Sequence, residues 1–195
     1  IPVDPVSLER HRIIAGNKND PLTASFDMLR TQVLQQMREN GYRSLAVTSP
    51  MPGCGKTTVA VNLALSVVQQ TAPRVLLGDF DLRRPKLGEY LGLHTDHDLS
   101  DFLEGRVPLE AALVDPGIPR LLVLPNTKMY RNAAEMLTTP EVKSLIDLLE
   151  SDDKDRVNIF DLPPMLPTDD TIAFLPQVDC VLLVVADGST KKPEL

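Results

Sequence analysis

The chain has 195 residues, 43% of them apolar and 24% charged, which is the balance of a soluble globular protein with room for one well-buried domain. Its net charge of −7, with Lys and Arg scattered, argues against nucleic acid as a partner. No apolar stretch approaches the ~18 residues that a bilayer span needs.

Residues 1–22 carry three prolines and little periodicity, and are expected to form an extended arm. They begin without an initiator methionine, as a fragment would, and show no basic region followed by an apolar one, so no signal peptide is expected. The domain proper is expected over 23–195. From Ser25, the residues Phe26, Leu29, Val33, Leu34 and Met37 share one helical face, and Gly41 ends the helix.

Residues 44–49 then form an apolar strand that runs into Pro52-Gly53-Cys54-Gly55-Lys56-Thr57-Thr58. An ordinary turn would also account for Pro and Gly here, and Pro50 stands where the general GxxxxGK[ST] pattern has glycine. The flanks favour a phosphate loop, because a buried strand precedes it and a helix follows, with Ala60, Leu63, Ala64, Val67 and Val68 on one face. Asn62, Ser66, Gln69 and Gln70 are expected on the opposite, polar face. The chemistry suits a polyphosphate. Gly53 and Gly55 admit close backbone approach, the helix N-terminus offers free N–H groups, Lys56 brings a mobile charge, and the Thr57 hydroxyl can ligate Mg²⁺.

A second strand, 74–77, ends in Gly78-Asp79-Phe80-Asp81. Residues 85–113 alternate short helical pieces with turns, and His94, Asp96, His97 and Asp98 are expected to be a solvated loop rather than a metal site. A third strand covers 121–124. Thr139 caps a helix with Pro140 at its first position and Val142, Leu145, Ile146 and Leu149 as its buried stripe. The acidic run 150–155 is expected as a loop, a fourth strand at 157–160 ends at Asp161, and a fifth covers 181–185. The two cysteines lie apart, Cys54 in the phosphate loop and Cys180 as a small buried hydrophobe, which fits a reducing, cytosolic compartment.

Wholly apolar strands separated by helices predict an α/β fold with a doubly wound, mainly parallel sheet and helices on both faces, a P-loop NTPase architecture. Such sheets bind ligands beyond the carboxyl ends of their strands. Asp79, Asp81 and Asp161 all lie at strand ends and are expected to converge with the phosphate loop on a Mg²⁺–nucleotide.

The block Pro52–Thr57, the run Val75-Leu76-Leu77-Gly78-Asp79-Phe80-Asp81-Leu82-Arg83-Arg84-Pro85, and Phe160-Asp161-Leu162-Pro163-Pro164 resemble the Walker A, A′ and B motifs of the bacterial tyrosine kinases of exopolysaccharide and capsule synthesis. Leu29-Arg30-Thr31, Leu99–Leu103 and Asn132–Leu137 also follow that family's order, so the resemblance covers about 24–190. It implies an ATP- and Mg²⁺-dependent protein-tyrosine autokinase in which Lys56 binds the β and γ phosphates and Thr57, Asp81 and Asp161 hold Mg²⁺. Asp79 would orient or deprotonate the acceptor, and Arg83 would touch phosphate, a neighbouring chain or a structural partner. It further implies a membrane-embedded polysaccharide co-polymerase or activator as partner, a peripheral place at the inner face of the cell membrane, and self-association.

The departures are specific. The family's ring-forming Glu-x-x-Arg-x-x-Arg falls on Ala24, Asp27 and Arg30, where only the last is kept. Tyr42, Tyr90 and Tyr130 are unclustered, and the chain stops at 191–195 where another helix begins, so a final strand, helix and tyrosine-rich tail are expected beyond it. The alternative is a nucleotide switch without kinase activity, resembling the septum-positioning and partitioning ATPases. Those carry a second lysine at the position of Met51.

Overall fold

The structure, a computed structural model, describes all residues except 16, 18, 19, 71, 154, 189 and 191–195, together with all side chains in the described elements but those of residues 70 and 152. The helix expected to begin at 191–195 therefore lies outside the described residues.

Five parallel strands form one sheet in the order β3-β2-β4-β1-β5. They are β1 (Ser44–Thr48), β2 (Arg74–Asp79), β3 (Leu121–Leu124), β4 (Arg156–Asp161) and β5 (Cys180–Leu183). Every residue of β1 and β4 is buried, as strands covered on both faces require. Alternation sorts the side chains. Leu45, Val47, Val75, Leu77, Val157 and Ile159 join one apolar cluster with α2 (Thr23–Asn40) and α3 (Lys56–Gln70). Ala46, Leu76 and Phe160 join a second cluster on the opposite face, with α8 (Pro140–Asp152) and α9 (Asp170–Phe174). Phe80, Phe160 and Phe174 pack there with ring centroids 5.0 to 5.7 Å apart, two of the three pairs edge-on.

Four expectations need correction. The arm is not extended throughout, because Asp4 caps and Pro5 opens a helix, α1 (Pro5–Arg10). The polar face of α3 is not solvated. Asn62 and Ser66 are fully buried, since Asn62 Oδ1 accepts from Ile14 N at 2.7 Å and Ala15 N at 2.9 Å while its Nδ2 donates to the Arg12 carbonyl at 3.0 Å. The acidic run is not all loop, because no breaker precedes residue 153 and α8 continues to Asp152. Finally, β5 is an edge strand covered on one face only. Val181 and Leu183 are exposed, and Cys180, packed on the covered face, is only half-buried, with its thiol pushed up to about 11 mainly by burial.

Candidate active site

Insertion of β4 between β2 and β1 brings the carboxyl ends of three strands together. Asp79 and Asp161 are register partners, and Val47, the penultimate residue of β1, faces Asp161 on the other side. Register partners in a parallel sheet point to the same face, so both carboxylates lie on the side of α3, whose N-terminus carries Lys56 and Thr57.

The contacts are direct. Thr57 Oγ1 donates to Asp161 Oδ2 at 2.5 Å, and Lys56 Nζ lies 2.9 Å from Asp81 Oδ2 and 3.2 Å from Asp161 Oδ1. Asp79 Oδ2 accepts from Lys86 N and Leu87 N, each at 2.9 Å, which caps the short helix α4 (Leu87–Leu91), and its Oδ1 accepts from Asp81 N at 3.3 Å. Lys56, Thr57, Asp79, Asp81 and Asp161 thus form one cluster.

One ammonium among three carboxylates leaves the cluster net negative. Burial, then the charge of Asp161, raises the Asp79 carboxyl well above the usual carboxylate range. Burial also raises Asp161, although Lys56 and Thr57 oppose it. Burial alone would depress the Lys56 ammonium, but Asp161 and Asp81 outweigh it and hold the group above its ordinary value.

Above the cluster lies a cleft of about 310 Å³ lined by Gly53, Gly55, Lys56, Thr57, Asp81 and Arg84, among others. A larger cleft of about 600 Å³ opens at the amino ends of β2 and β3, lined by Arg74, Arg120 and Arg156. The smaller one is the candidate, because open α/β sheets bind beyond their carboxyl edge and the acids converge there.

The residues fit a nucleotide with a divalent cation. Gly53 and Gly55 have φ of +84° and +88°, which favours glycine, and the space where a Cβ would sit is empty. Thr168 Oγ1, on a cleft residue, is buried without a hydrogen-bond partner. Among the described residues no group of three or more His, Cys, Asp or Glu could hold a metal alone. Two carboxylates and a hydroxyl suit Mg²⁺, which takes few protein ligands and fills its shell with phosphate and water.

Of the other expected residues, Pro52 lines the cleft and Thr58 reaches the His11 carbonyl at 3.5 Å. Cys54 does not line the cleft. Its sulfur lies 4.0 Å from the Thr190 hydroxyl. Arg83 also lines the cleft, with its Nε and Nη2 gripping Asp170 at 2.5 and 3.0 Å. Asp98, from the His/Asp loop, caps α5 (Leu99–Leu103). Sequence reasoning missed Lys86, Tyr90, Pro167 and Thr168 as lining residues. The proximity of 163–168 to the phosphate loop could have been read only from β4 pairing with β1.

No family model matches the chain. The tyrosine-protein kinase YwqD of Bacillus subtilis (strain 168) is 31% identical over 187 residues, covering 96% of this chain and 78% of that protein. The chain belongs to the bacterial tyrosine-kinase family. The tyrosine-protein kinase ptk of Acinetobacter johnsonii is 30% identical across 100% of this chain, which spans 28% of that protein's length. Among solved structures, the kinase domain of the Escherichia coli tyrosine kinase ETK superposes with a TM-score of 0.85 at 28% identity, over 93% of this chain and 71% of that one. The septum site-determining protein MinD of Pyrococcus horikoshii OT3 superposes at 0.58 with 23% identity, over 73% of this chain and 57% of that one, and shares the fold. Arg30, the residue kept from the motif that the resemblance places on α2, is engaged internally. Its side chain is 11% exposed, and its Nη1 donates to Asp27 Oδ1 at 2.9 Å and Ser66 Oγ at 3.0 Å.

Proposed function

We propose that the chain is the ATP-dependent kinase domain of a protein-tyrosine autokinase, with residues 23–195 as the nucleotide-binding unit and 1–22 as its arm. The observation that carries this reading is the cluster of Lys56, Thr57, Asp79, Asp81 and Asp161 beneath two open glycines, in a chain of the tyrosine-kinase family.

In this reading the N–H groups of residues 53–58, at the positive end of α3, hold the β and γ phosphates. Lys56 exchanges its two carboxylates for those phosphates. Thr57, Asp81 and Asp161 are the residues that would hold Mg²⁺, which would supply charge neutralisation and alignment of the phosphate oxygens. Asp79, whose carboxyl is more basic than an ordinary aspartate, takes the proton of the acceptor hydroxyl as its oxygen bonds to the γ-phosphorus and the bond to the ADP oxygen breaks. Because such a site works by positioning and charge, losing one preorganised contact costs about 3 kcal/mol of barrier.

ATP with Mg²⁺ is supported by a fold neighbour of 28% identity solved with an ATP analogue and magnesium. The partner in this reading is a membrane-embedded polysaccharide co-polymerase or activator, and the setting is exopolysaccharide or capsule export at the inner face of the membrane. Relatives several times longer than this chain support it, and among the described residues no helix is long and apolar enough to cross a membrane. A switch without kinase activity is less well supported, since Met51 stands where those ATPases carry lysine.

The test incubates the chain with Mg-ATP and a tyrosine-bearing peptide and measures phosphotyrosine by mass spectrometry. Product that depends on Lys56 and Mg²⁺ supports the reading. Its absence alongside intact nucleotide binding overturns it.

A further inference from the structure

Arg83 and Arg84 are neighbours with opposite fates. Arg83 spends its guanidinium on the buried Asp170 and, through Nη1 at 3.1 Å, on the Arg131 carbonyl, so it is a fixed strut between the end of β2 and α9. Arg84 is pinned only by its backbone, whose N–H donates to Asp81 Oδ1 at 3.0 Å. The other oxygen of the same carboxylate holds Lys56. The Arg84 side chain is exposed, lines the cleft with Gly53, Gly55, Lys56 and Thr57, and among the described residues forms no hydrogen bond or ion pair.

The other cations near the cleft are committed. Lys56 serves two carboxylates, Arg83 serves Asp170, and Lys86 Nζ serves Glu89 at 2.5 Å. Among the described residues that line the cleft, Arg84 is therefore the cation held next to a proposed metal ligand yet free to swing, and a planar guanidinium is suited to two phosphate oxygens at once.

We propose that Arg84 contacts the terminal phosphate of a bound nucleoside triphosphate and stabilises the charge that develops on it, while Arg83 only positions the loop. The proposal rests on the phosphoryl-transfer reading of the site. Arg84 exchanges no proton and forms no covalent bond. Its contribution is charge, aimed where a diphosphate has no group to meet it.

The experiment measures the affinity of the chain for ADP and for a non-hydrolysable ATP analogue, each with Mg²⁺, by calorimetry. It compares wild type, Arg84→Ala, Arg84→Lys and Arg83→Ala, and then measures turnover. Arg84→Ala should hold ADP within about twofold of wild type yet lose about tenfold in the preference for the analogue over ADP, equivalent to about 1.4 kcal/mol. Its turnover should fall by about 10²-fold or more, and Arg84→Lys should recover part of both. Arg83→Ala should lower the melting temperature without changing the analogue-to-ADP ratio.

An Arg84→Ala chain with an unchanged ratio, or one that loses both ligands equally, overturns the proposal. If wild type binds the analogue but labels no tyrosine, the kinase reading fails while the affinity ratio still judges Arg84. A wild type that binds neither nucleotide overturns both.

Discussion

Thr57 donates its hydroxyl to Asp161 Oδ2 at 2.5 Å, so two of the residues assigned to Mg²⁺ already touch across the junction of α3 and β4. Replacing Thr57 by Val strands a buried carboxylate oxygen and removes a proposed metal ligand. The expected result is a nucleotide affinity that no longer responds to Mg²⁺ and a loss of about 2 kcal/mol in stability. Thr57→Ser should keep both. Titrations with and without Mg²⁺, beside thermal melts, check it.

Lys56 is the ammonium at the centre of a buried acidic group, so its removal is a stability experiment as well as a kinetic one. Lys56→Met leaves Asp81 and Asp161 without their counter-ion, and breaking a buried pair from one side costs about 3–5 kcal/mol. The deficit should shrink on acidification, because Asp161 is already displaced toward its neutral form by burial. Melting curves of both chains across the acid range decide it, and a deficit that grows toward low pH would contradict the account.

Asp79 supplies a pH dependence of known sign. Its folded-state carboxyl titrates above the unfolded one, so its contribution to stability is complete below the unfolded value, near 3.8, and is lost as pH rises through the raised value. Asp79→Asn stays neutral throughout. The stability of wild type relative to Asp79→Asn should therefore decline as pH rises above the unfolded value. Paired denaturant titrations measure that slope.

Much of this arrangement was legible in the sequence. The apolar strands β1, β2 and β4, the phosphate loop, and the acids at two strand ends could be read directly. The pairing of Asp79 with Asp161 could not, because it depends on β4 entering between β2 and β1, out of chain order. The burial of Asn62 and Ser66, placed by periodicity on the polar face of α3, was illegible for a similar reason. Their partners lie in the arm, 47 residues before Asn62, and in α2, 36 residues before Ser66, and helical periodicity carries no record of what covers a face. The pairing of Arg83 with Asp170 was equally illegible, because the two lie 87 residues apart.

Gly92 ties the arm to the site. Its φ is +64°, and a Cβ there would fall 2.4 Å from Asp4 Cβ. Gly92→Ala should force α1 away from α4 and cost about 1–2 kcal/mol from the left-handed backbone alone. The amide of Asp4, which donates to the Leu91 carbonyl at 3.0 Å, should then exchange with solvent much faster. Hydrogen exchange resolved to residues 3–8 is the measurement.

The most direct test of the central claim follows the γ-phosphate. Incubated with γ-labelled ATP and Mg²⁺, the full-length protein should place label on tyrosine, and that label should vanish in Lys56→Met and Asp79→Asn. Label found only as free phosphate, with tyrosine unmodified, would contradict it.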